Sequence, residues 1–199
     1  EKDKRKKSPE WAAFLRDAER KATLTHEEKQ HIVGMTRALA SCRDADMLMR
    51  NVRARELSIV WRDEETELLC KGRIDVLSVL YDRTYIVDLK SCVDASRNAF
   101  RRQSERFGYY RSLAWYRWGL SVLHPASRRA AFLAIEKTPP YAAAVYELTD
   151  NALNAGLEEM RALLRKYDNS MKSGIWPGYG DDIKDMDLSP WLQKDLGFA

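Results

Sequence analysis

The sequence has few cysteines, no long apolar run and no apolar segment near its start. Its three cysteines, Cys42, Cys70 and Cys92, have no CxxC spacing, which excludes a four-cysteine zinc or iron–sulfur site and argues against a disulfide framework. No stretch approaches the roughly 18 consecutive apolar residues of a transmembrane helix, and the basic segment 1–7 is not followed by the apolar part of a secretory signal. We therefore expect a cytoplasmic protein with reduced thiols and no membrane partner.

The net charge is also small. The chain has 34 Lys and Arg against 30 Asp and Glu, and a formal charge of +4 does not by itself indicate a nucleic-acid partner. Its distribution is more informative, because residues 97–117 are rich in arginine and aromatic residues and have Glu105 as their single acid. Such a segment suits contacts with phosphates and bases, although a solvated helix face is the alternative. The candidate DNA contacts in it are Arg97, Arg101, Arg102, Arg106 and Arg111.

A length of 199 residues makes one domain over residues 1–199 the default expectation. Hydrophobic periodicity then predicts the helices and strands within it. The predicted helices span 9–22, 25–40, 45–50, 96–120 and 150–172, and the predicted strands span 56–61, 68–80, 85–90, 130–136 and 142–148. The three early strands should form a meander, and the last two a hairpin or neighbouring strands. Residues 175–199 are rich in Gly, Pro and Asp, so an irregular tail is expected. The start at Glu1 rather than Met is consistent with a fragment.

Charged residues that suit phosphate chemistry lie within the predicted meander. Asp75 lies in an otherwise apolar strand, and Asp88 and Lys90 lie two apart on the next strand, where their side chains share a face. Mg²⁺ or Mn²⁺ favours carboxylate and phosphate oxygens as ligands. A bound ion lowers the pKa of a water and neutralises charge on phosphate, while Lys90 would orient or deprotonate that water.

A D-x-K triplet has a simpler explanation, since a strand with one solvated face shows the same alternation. The neighbours of the two acids argue against it. Asp75 and Asp88 are both flanked by apolar residues, and buried carboxylates are costly unless they are paired or bind a metal. Two of them on adjacent strands with a lysine therefore favour a metal site.

Several ordered segments resemble the exonuclease VIII (RecE-type) branch of the PD-(D/E)XK nucleases. The resemblance covers about residue 24 to Gly180 and rests on segments 56–61 (ELSIVW), 70–75 (CKGRID), 87–91 (VDLKS), 107–116 (FGYYRSLAWY) and 135–148 (IEKTPPYAAAVYEL). It implies that Asp75, Asp88 and Lys90 are the motif residues. It also implies that Glu56 matches an upstream glutamate that contributes to the metal site. Without the resemblance, Glu56 is an exposed residue at a strand end.

The sequence departs from that family in two places. Members usually carry a glutamine four residues before a tyrosine in the helix after the DxK strand, whereas Ser112 stands four residues before Tyr116. Gln103 lies in the same predicted helix but two turns away, and Ser112 could hydrogen-bond a water in its place. Helical sequence with a histidine, usually found upstream, is missing or replaced, and neither His26 nor His31 aligns with that histidine.

The resemblance implies an α/β fold: a restriction-endonuclease-like core with a central mixed sheet flanked by helices, and the metal site where the strands of Asp75 and Asp88 diverge. The implied activity is metal-dependent hydrolysis from duplex DNA ends, 5′ to 3′, leaving 3′ single strands for recombination. The implied partners are a single-strand annealing protein and further copies of the chain in a ring. Arg73, Ser112 and Tyr116 are then additional candidate DNA contacts.

Three other functions compete with this one. A related endonuclease, or a repair nuclease with an iron–sulfur cluster, is one, but such a cluster needs four cysteines and the chain has three. A catalytically impaired DNA-binding or scaffold protein on the same fold is another, against which the presence of Asp75, Asp88 and Lys90 argues. The third is a structural domain whose charges are solvated.

Overall fold

The computed structural model describes residues 9–17, 23–180 and 182–197. Its helices are α1 (Pro9–Asp17), α2 (His26–Ser41), α3 (Arg43–Arg50), α4 (Arg97–Phe107), α5 (Tyr109–Leu123), α6 (Asp150–Ser173) and α7 (Pro190–Asp195). Its strands are β1 (Val52–Arg62), β2 (Leu69–Leu80), β3 (Arg83–Cys92), β4 (Arg129–Glu136) and β5 (Ala143–Glu147). None of the described helices is both long and apolar enough to cross a membrane.

The strands form one mixed sheet in the order β1-β2-β3-β4-β5. β1, β2 and β3 pair antiparallel as the predicted meander, β3 and β4 pair parallel, and β4 and β5 pair antiparallel. A parallel pair needs a crossover connection, and α4 and α5 provide it between β3 and β4. This arrangement confirms the predicted α/β class with a mixed sheet flanked by helices.

Apolar side chains bury both faces of the sheet. One cluster lies between the sheet and helices α4, α5 and α6 and includes Trp61, Phe100 and Leu113. A second, smaller cluster joins the other face to α3 through Leu48. β4 is almost fully buried, as expected for a strand covered on both faces. The result is three layers, with the sheet in the middle.

Threonine side chains cap the starts of two helices. Thr25 accepts a hydrogen bond from the backbone N–H of Glu28, whose carboxylate accepts one from the Thr25 N–H. This reciprocal pair satisfies backbone donors that the first turn of α2 leaves unpaired. At the start of α6, Thr149 caps the helix through the backbone N–H of Ala152.

The prediction of one helix over 96–120 is wrong. The segment forms two helices that meet at Gly108, whose φ of 67° is left-handed. Glycine adopts this conformation at little cost, and a left-handed residue at this position ends a helix. The chain changes direction there, so the two halves of the arginine-rich segment lie on separate helices.

The two ends of the chain differ in part from expectation. The predicted helix over 9–22 is present as α1, and residues 18–22 lie outside the described residues. The tail expected to be irregular from residue 175 contains one short helix, α7, capped by the Ser189 hydroxyl and with Pro190 in its first turn. Serine at the N-cap and proline in the first turn both favour a helix start. The Asp- and Gly-rich composition of the tail nevertheless predicted irregular structure.

Candidate active site

Asp75 and Asp88 come together at the point where β2 and β3 separate. The regular pairing of these strands ends at Val76 and Val87, and the two aspartates are the next residues beyond it. The backbone N–H of Leu89 donates a hydrogen bond to Asp75 Oδ2 at 3.0 Å. The Asp75 carboxylate thus takes the place of a backbone carbonyl acceptor where the β2–β3 pairing ends. This hydrogen bond joins the Asp75 side chain to β3.

A change of alternation in β2 sets the direction of Asp75. Ile74 and Leu77 both contact the larger cluster, whereas Val76 belongs to the smaller one on the other face. Strict alternation would put Ile74 and Leu77 on opposite faces, so β2 is irregular at this point. Glu56 lies opposite Asp75 in the register of β1, and its φ is 49°. Both strands therefore depart from regular geometry beside the candidate site.

Asp88 and Lys90 lie on the face of β3 that α5 covers. The Lys90 ammonium contacts Asp88 Oδ2 as an ion pair and lies 5.1 Å from the centre of the Tyr109 ring. Asp88 is 3% exposed, and no backbone N–H or hydroxyl of the described residues donates to its Oδ2. A buried carboxylate with so few donors favours a cation nearby.

Burial and charge have opposite effects on Asp88. Burial raises the pKa of its carboxyl, Lys90 lowers it, and neighbouring Asp75 raises it again, with the result at about 6. Two carboxylates that share a site resist ionising together. A divalent cation would relieve this repulsion, which is the electrostatic condition of a metal-binding pair.

Helix α5 forms the wall opposite the two aspartates. Gly72 on β2 lets the Tyr116 ring lie against the strand, because a Cβ on Gly72 would come within 2.9 Å of that ring. Burial, and then the charges of Asp88 and Asp75, raise the pKa of the Tyr116 hydroxyl. Helical spacing puts Ser112 between Tyr109 and Tyr116 on the same face. Ser112 and Tyr116 therefore lie on the face of α5 that is turned towards the carboxylates.

The structure does not bring Glu56 to the two aspartates. Its Oε2 lies 3.0 Å from Nε of Arg73, and both side chains are exposed. Among the described residues, no group of three or more His, Cys, Asp or Glu side chains could hold a metal ion. Asp75 and Asp88 fit Mg²⁺ or Mn²⁺ as a two-carboxylate site, since Mg²⁺ commonly keeps several waters and binds substrate phosphate. The roles of Glu56 and Arg73 stay predictions.

The predicted DNA-contact arginines differ in their partners within the fold. Arg111 is joined to α6 through Glu159, with Nε and Oε2 2.6 Å apart. Arg106 lies 5.4 Å from the centre of the Phe107 ring, and that ring stacks on Tyr109 at 5.7 Å. Arg106 is thus connected to the aromatic residue beneath Lys90, whereas Arg111 already has a partner within the fold.

The other three arginines are exposed on α4. Arg102 lies near Asp94 and lowers the pKa of its carboxyl, after the hydrogen bonds of Ser96. Arg101 lies 3.9 Å from Glu105, and Arg97 is one turn before it. The two pairs of arginines four residues apart therefore face different sides of α4, as their offset predicts.

Sequence reasoning missed two residues close to Lys90. The ring of Tyr109 lies beneath the ammonium, and Gln103 donates from Nε2 to the Tyr109 hydroxyl at 3.3 Å. The seven-residue spacing of Tyr109 and Tyr116, two helical turns, was the signal for Tyr109. No signal placed Gln103, because the break at Gly108 turns α4 back towards α5.

Comparisons with known proteins support a nuclease fold. Residues 6–188 match the model of a family described as "PDDEXK-like domain of unknown function (DUF3799)". A solved structure of a candidate exonuclease from Eubacterium rectale is 16% identical, with 92% of this chain and 72% of that chain covered and a TM-score of 0.56. This likeness shows a shared fold. A second solved structure, SSO0001, is 16% identical over 55% of this chain and 50% of that chain, with a TM-score of 0.35. No curated protein matches the chain.

Proposed function

Because the chain belongs to the PDDEXK-like family, we propose that it is a metal-dependent deoxyribonuclease that hydrolyses phosphodiesters from duplex DNA ends. The observation that carries the proposal is the convergence of Asp75, Asp88 and Lys90 where two strands part. Two carboxylates bind a hard cation, and the adjacent ammonium supplies a positive charge and a proton donor. A purely structural domain does not explain why Asp88 is buried beside a second acid, since burial opposes the ionisation of its carboxyl.

In this proposal Asp75 and Asp88 hold Mg²⁺ or Mn²⁺, with Glu56 as a secondary ligand. The bound cation would supply Lewis acidity, lowering the pKa of a water and offsetting negative charge on the phosphate. For Glu56 to contribute, its side chain must leave Arg73. Both side chains are exposed, and an exposed ion pair contributes about 1 kcal/mol or less to stability, so the exchange costs little.

We assign the attacking water to Lys90. Its Nζ lies beside the Asp88 carboxylate and above the ring of Tyr109. These two neighbours hold the ammonium beside the candidate metal ligands. In the proposed reaction Lys90 orients the attacking water and stabilises charge that develops on a phosphate oxygen. Gln103 supports this arrangement through the Tyr109 hydroxyl.

The resemblance to the exonuclease VIII (RecE-type) branch supports the finer parts of the proposal. These are 5′ to 3′ polarity, 3′ single strands as a product for recombination, a single-strand annealing protein as partner, and a homo-oligomeric ring. The ordered segments between residues 56 and 148 support them more specifically than the DxK triplet does. Ser112 departs from that branch.

The direct test is to incubate the chain with linear and with circular duplex DNA, in Mg²⁺, Mn²⁺ or EDTA, and to measure acid-soluble nucleotides. We expect release from linear DNA in either metal, none in EDTA and none from circles. Cleavage of circles would make the protein an endonuclease. DNA binding without cleavage in either metal would favour the scaffold function instead.

A further inference from the structure

A mainly apolar cavity lies beside α4. It has a volume of about 220 Å³ and lies between α4, the β4–β5 pair and the start of α6. Its floor is formed by Phe100, Phe132 and Tyr146, and the rings of Phe100 and Tyr146 stack at 5.4 Å. An apolar cavity of this size has room for one planar ring system, and it is smaller than the roughly 300–1,000 Å³ of a drug-sized site.

Two polar groups at this cavity have no partner among the described residues. Ser104 lines it and is 8% exposed, yet its hydroxyl makes no hydrogen bond to any residue in the described part of the chain. Arg97 stands at the rim, and across the same residues no carboxylate lies within ion-pair distance of it. The Ser104 hydroxyl and the exposed Arg97 guanidinium are therefore both available to a polar ligand.

The start of α6 adds a further favourable element for an anion. Thr149 and Ala152 line the cavity. The Thr149 hydroxyl already accepts a hydrogen bond from the Ala152 N–H, but the partial positive charge of the first helical turn still favours an anion. Glu147 is the one acid in the lining. Its carboxylate is engaged by Arg129 at 2.9 Å and by the Tyr85 hydroxyl at 3.1 Å, so its negative charge is offset.

We propose that this cavity binds a single nucleotide, with its base on the apolar floor and its phosphate between Arg97 and the start of α6. This inference rests on the proposed nuclease function, which brings nucleotides to this surface. Phe100 connects the two places, because its ring lies 6.4 Å from that of Tyr109, over which Lys90 lies. A released mononucleotide and the unpaired terminal nucleotide of a strand have the same chemistry here.

The test is a calorimetric titration of the metal-free protein in EDTA with deoxyadenosine monophosphate, with deoxyadenosine and with inorganic phosphate. We expect saturable binding of the monophosphate and weaker binding of the other two, because each lacks half of the ligand. Arg97→Gln, a substitution at an exposed position, should weaken monophosphate binding about 10-fold or more, as for loss of a charged hydrogen bond. Ala152→Phe should fill the cavity and abolish binding.

Ala155→Phe is the matched control, since Ala155 is an exposed residue on the same helix and does not line the cavity. It should bind the monophosphate like the parent. Displacement of the monophosphate by a short single-stranded oligonucleotide would assign the strand terminus as the source. Failure to displace it would assign the released nucleotide, and either result requires the same cavity.

The inference is overturned if the parent shows no saturable binding up to about 10 mM, a concentration well above ordinary ligand affinities. It is also overturned if Arg97→Gln and Ala152→Phe bind like the parent. These measurements need neither metal nor cleavage. A chain that binds the nucleotide but does not cut DNA would contradict the nuclease function alone, and a chain that cuts DNA without this binding would contradict the cavity alone.

Discussion

The backbone N–H of Leu89 donates to the carboxylate of Asp75 at 3.0 Å, across the gap where β2 and β3 part. Asp75 therefore has two roles, as an acceptor that joins the strands and as a candidate metal ligand. The two can be separated by substitution, because an amide oxygen also accepts a hydrogen bond but is a weaker ligand for a cation.

Asp75→Asn should abolish metal-dependent cleavage while it changes the free energy of unfolding by less than about 1 kcal/mol. Asp75→Ala should lose both activity and the strand-bridging hydrogen bond, and should be the less stable variant by about 1–2 kcal/mol. Cleavage of linear duplex and urea unfolding of the metal-free variants measure the two effects. An active Asp75→Asn enzyme would remove Asp75 from the metal site.

Lys90→Ala should reduce the rate of cleavage by about 10²–10⁴-fold, the usual contribution of a positioned proton-transfer group. Asp88→Ala should remove activity as well, through loss of the metal. Single-turnover rates on linear duplex at saturating Mg²⁺ are the measurement. Lys29→Ala, at an exposed position on α2, is the control and should retain the parental rate. If Lys90→Ala digests DNA like the parent, the assigned mechanism is wrong.

The contribution of Asp88 to the stability of the metal-free protein should fall as pH rises. The pKa of Asp88 is raised from 3.8 to about 6 in the fold, so the folded state holds this proton more tightly than the unfolded state. The contribution is fully present below about pH 3.8 and is lost as pH rises through about 6. It amounts to at most about 3 kcal/mol, since one pKa unit corresponds to about 1.4 kcal/mol.

Urea unfolding of the parent and of Asp88→Asn from pH 4 to pH 8 measures this effect. The difference between the two proteins should change within that window, and Mg²⁺ should restore the stability of the parent above about pH 6, because the ion binds the ionised pair. A difference that does not depend on pH would show that Asp88 titrates normally.

Glu56→Gln should raise the Mg²⁺ concentration needed for half-maximal activity several-fold and leave the maximal rate nearly unchanged. A secondary ligand contributes to affinity for the metal, while Asp75 and Asp88 still hold it. A Mg²⁺ titration of the initial rate is the measurement, with Glu64→Gln in the exposed β1–β2 turn as control. Unchanged half-saturation would leave Glu56 as a surface partner of Arg73.

One pair of arginines on α4 should carry contacts to duplex phosphates. Because Arg106 is close to the aromatic residues beneath Lys90, we expect the Arg102/Arg106 double alanine variant to lower the salt slope of binding by about one per lost contact. The Arg97/Arg101 double alanine variant should bind blunt duplex DNA with the salt slope of the parent. Fluorescence anisotropy in Ca²⁺ over several salt concentrations tests both, and parental slopes in both variants would show that the duplex is held elsewhere.

The sequence predicts the order of elements well because each depends on nearby residues. The alternation in β3 puts Asp88 and Lys90 on one face, and the structure pairs them. The Thr25–Glu28 capping pattern likewise marks the start of α2 within a residue. These features follow from the periods of strands and helices, which tertiary contacts did not change here.

The sequence does not predict features that depend on contacts between elements. Glu56 has a left-handed φ of 49°, which glutamate does not favour, so the pairing of β1 with β2 must impose it. The change of alternation at Asp75 has no local signal either. Tyr109 reaches Lys90 only because the chain turns at Gly108, and a glycine within an otherwise helical pattern does not by itself specify a break.

The turn at Gly108 also separates two groups of functional candidates onto two helices. α4 carries the arginines and Gln103, while α5 carries Tyr109, Ser112 and Tyr116, and a left-handed glycine separates the two. Residues on the outer side of α4 can be exchanged to alter the grip on a substrate without turning α5 about its axis. In the proposed nuclease, the exposed positions of α4 are therefore the ones to vary to change substrate contacts, with Gln103 kept because it joins α4 to Tyr109.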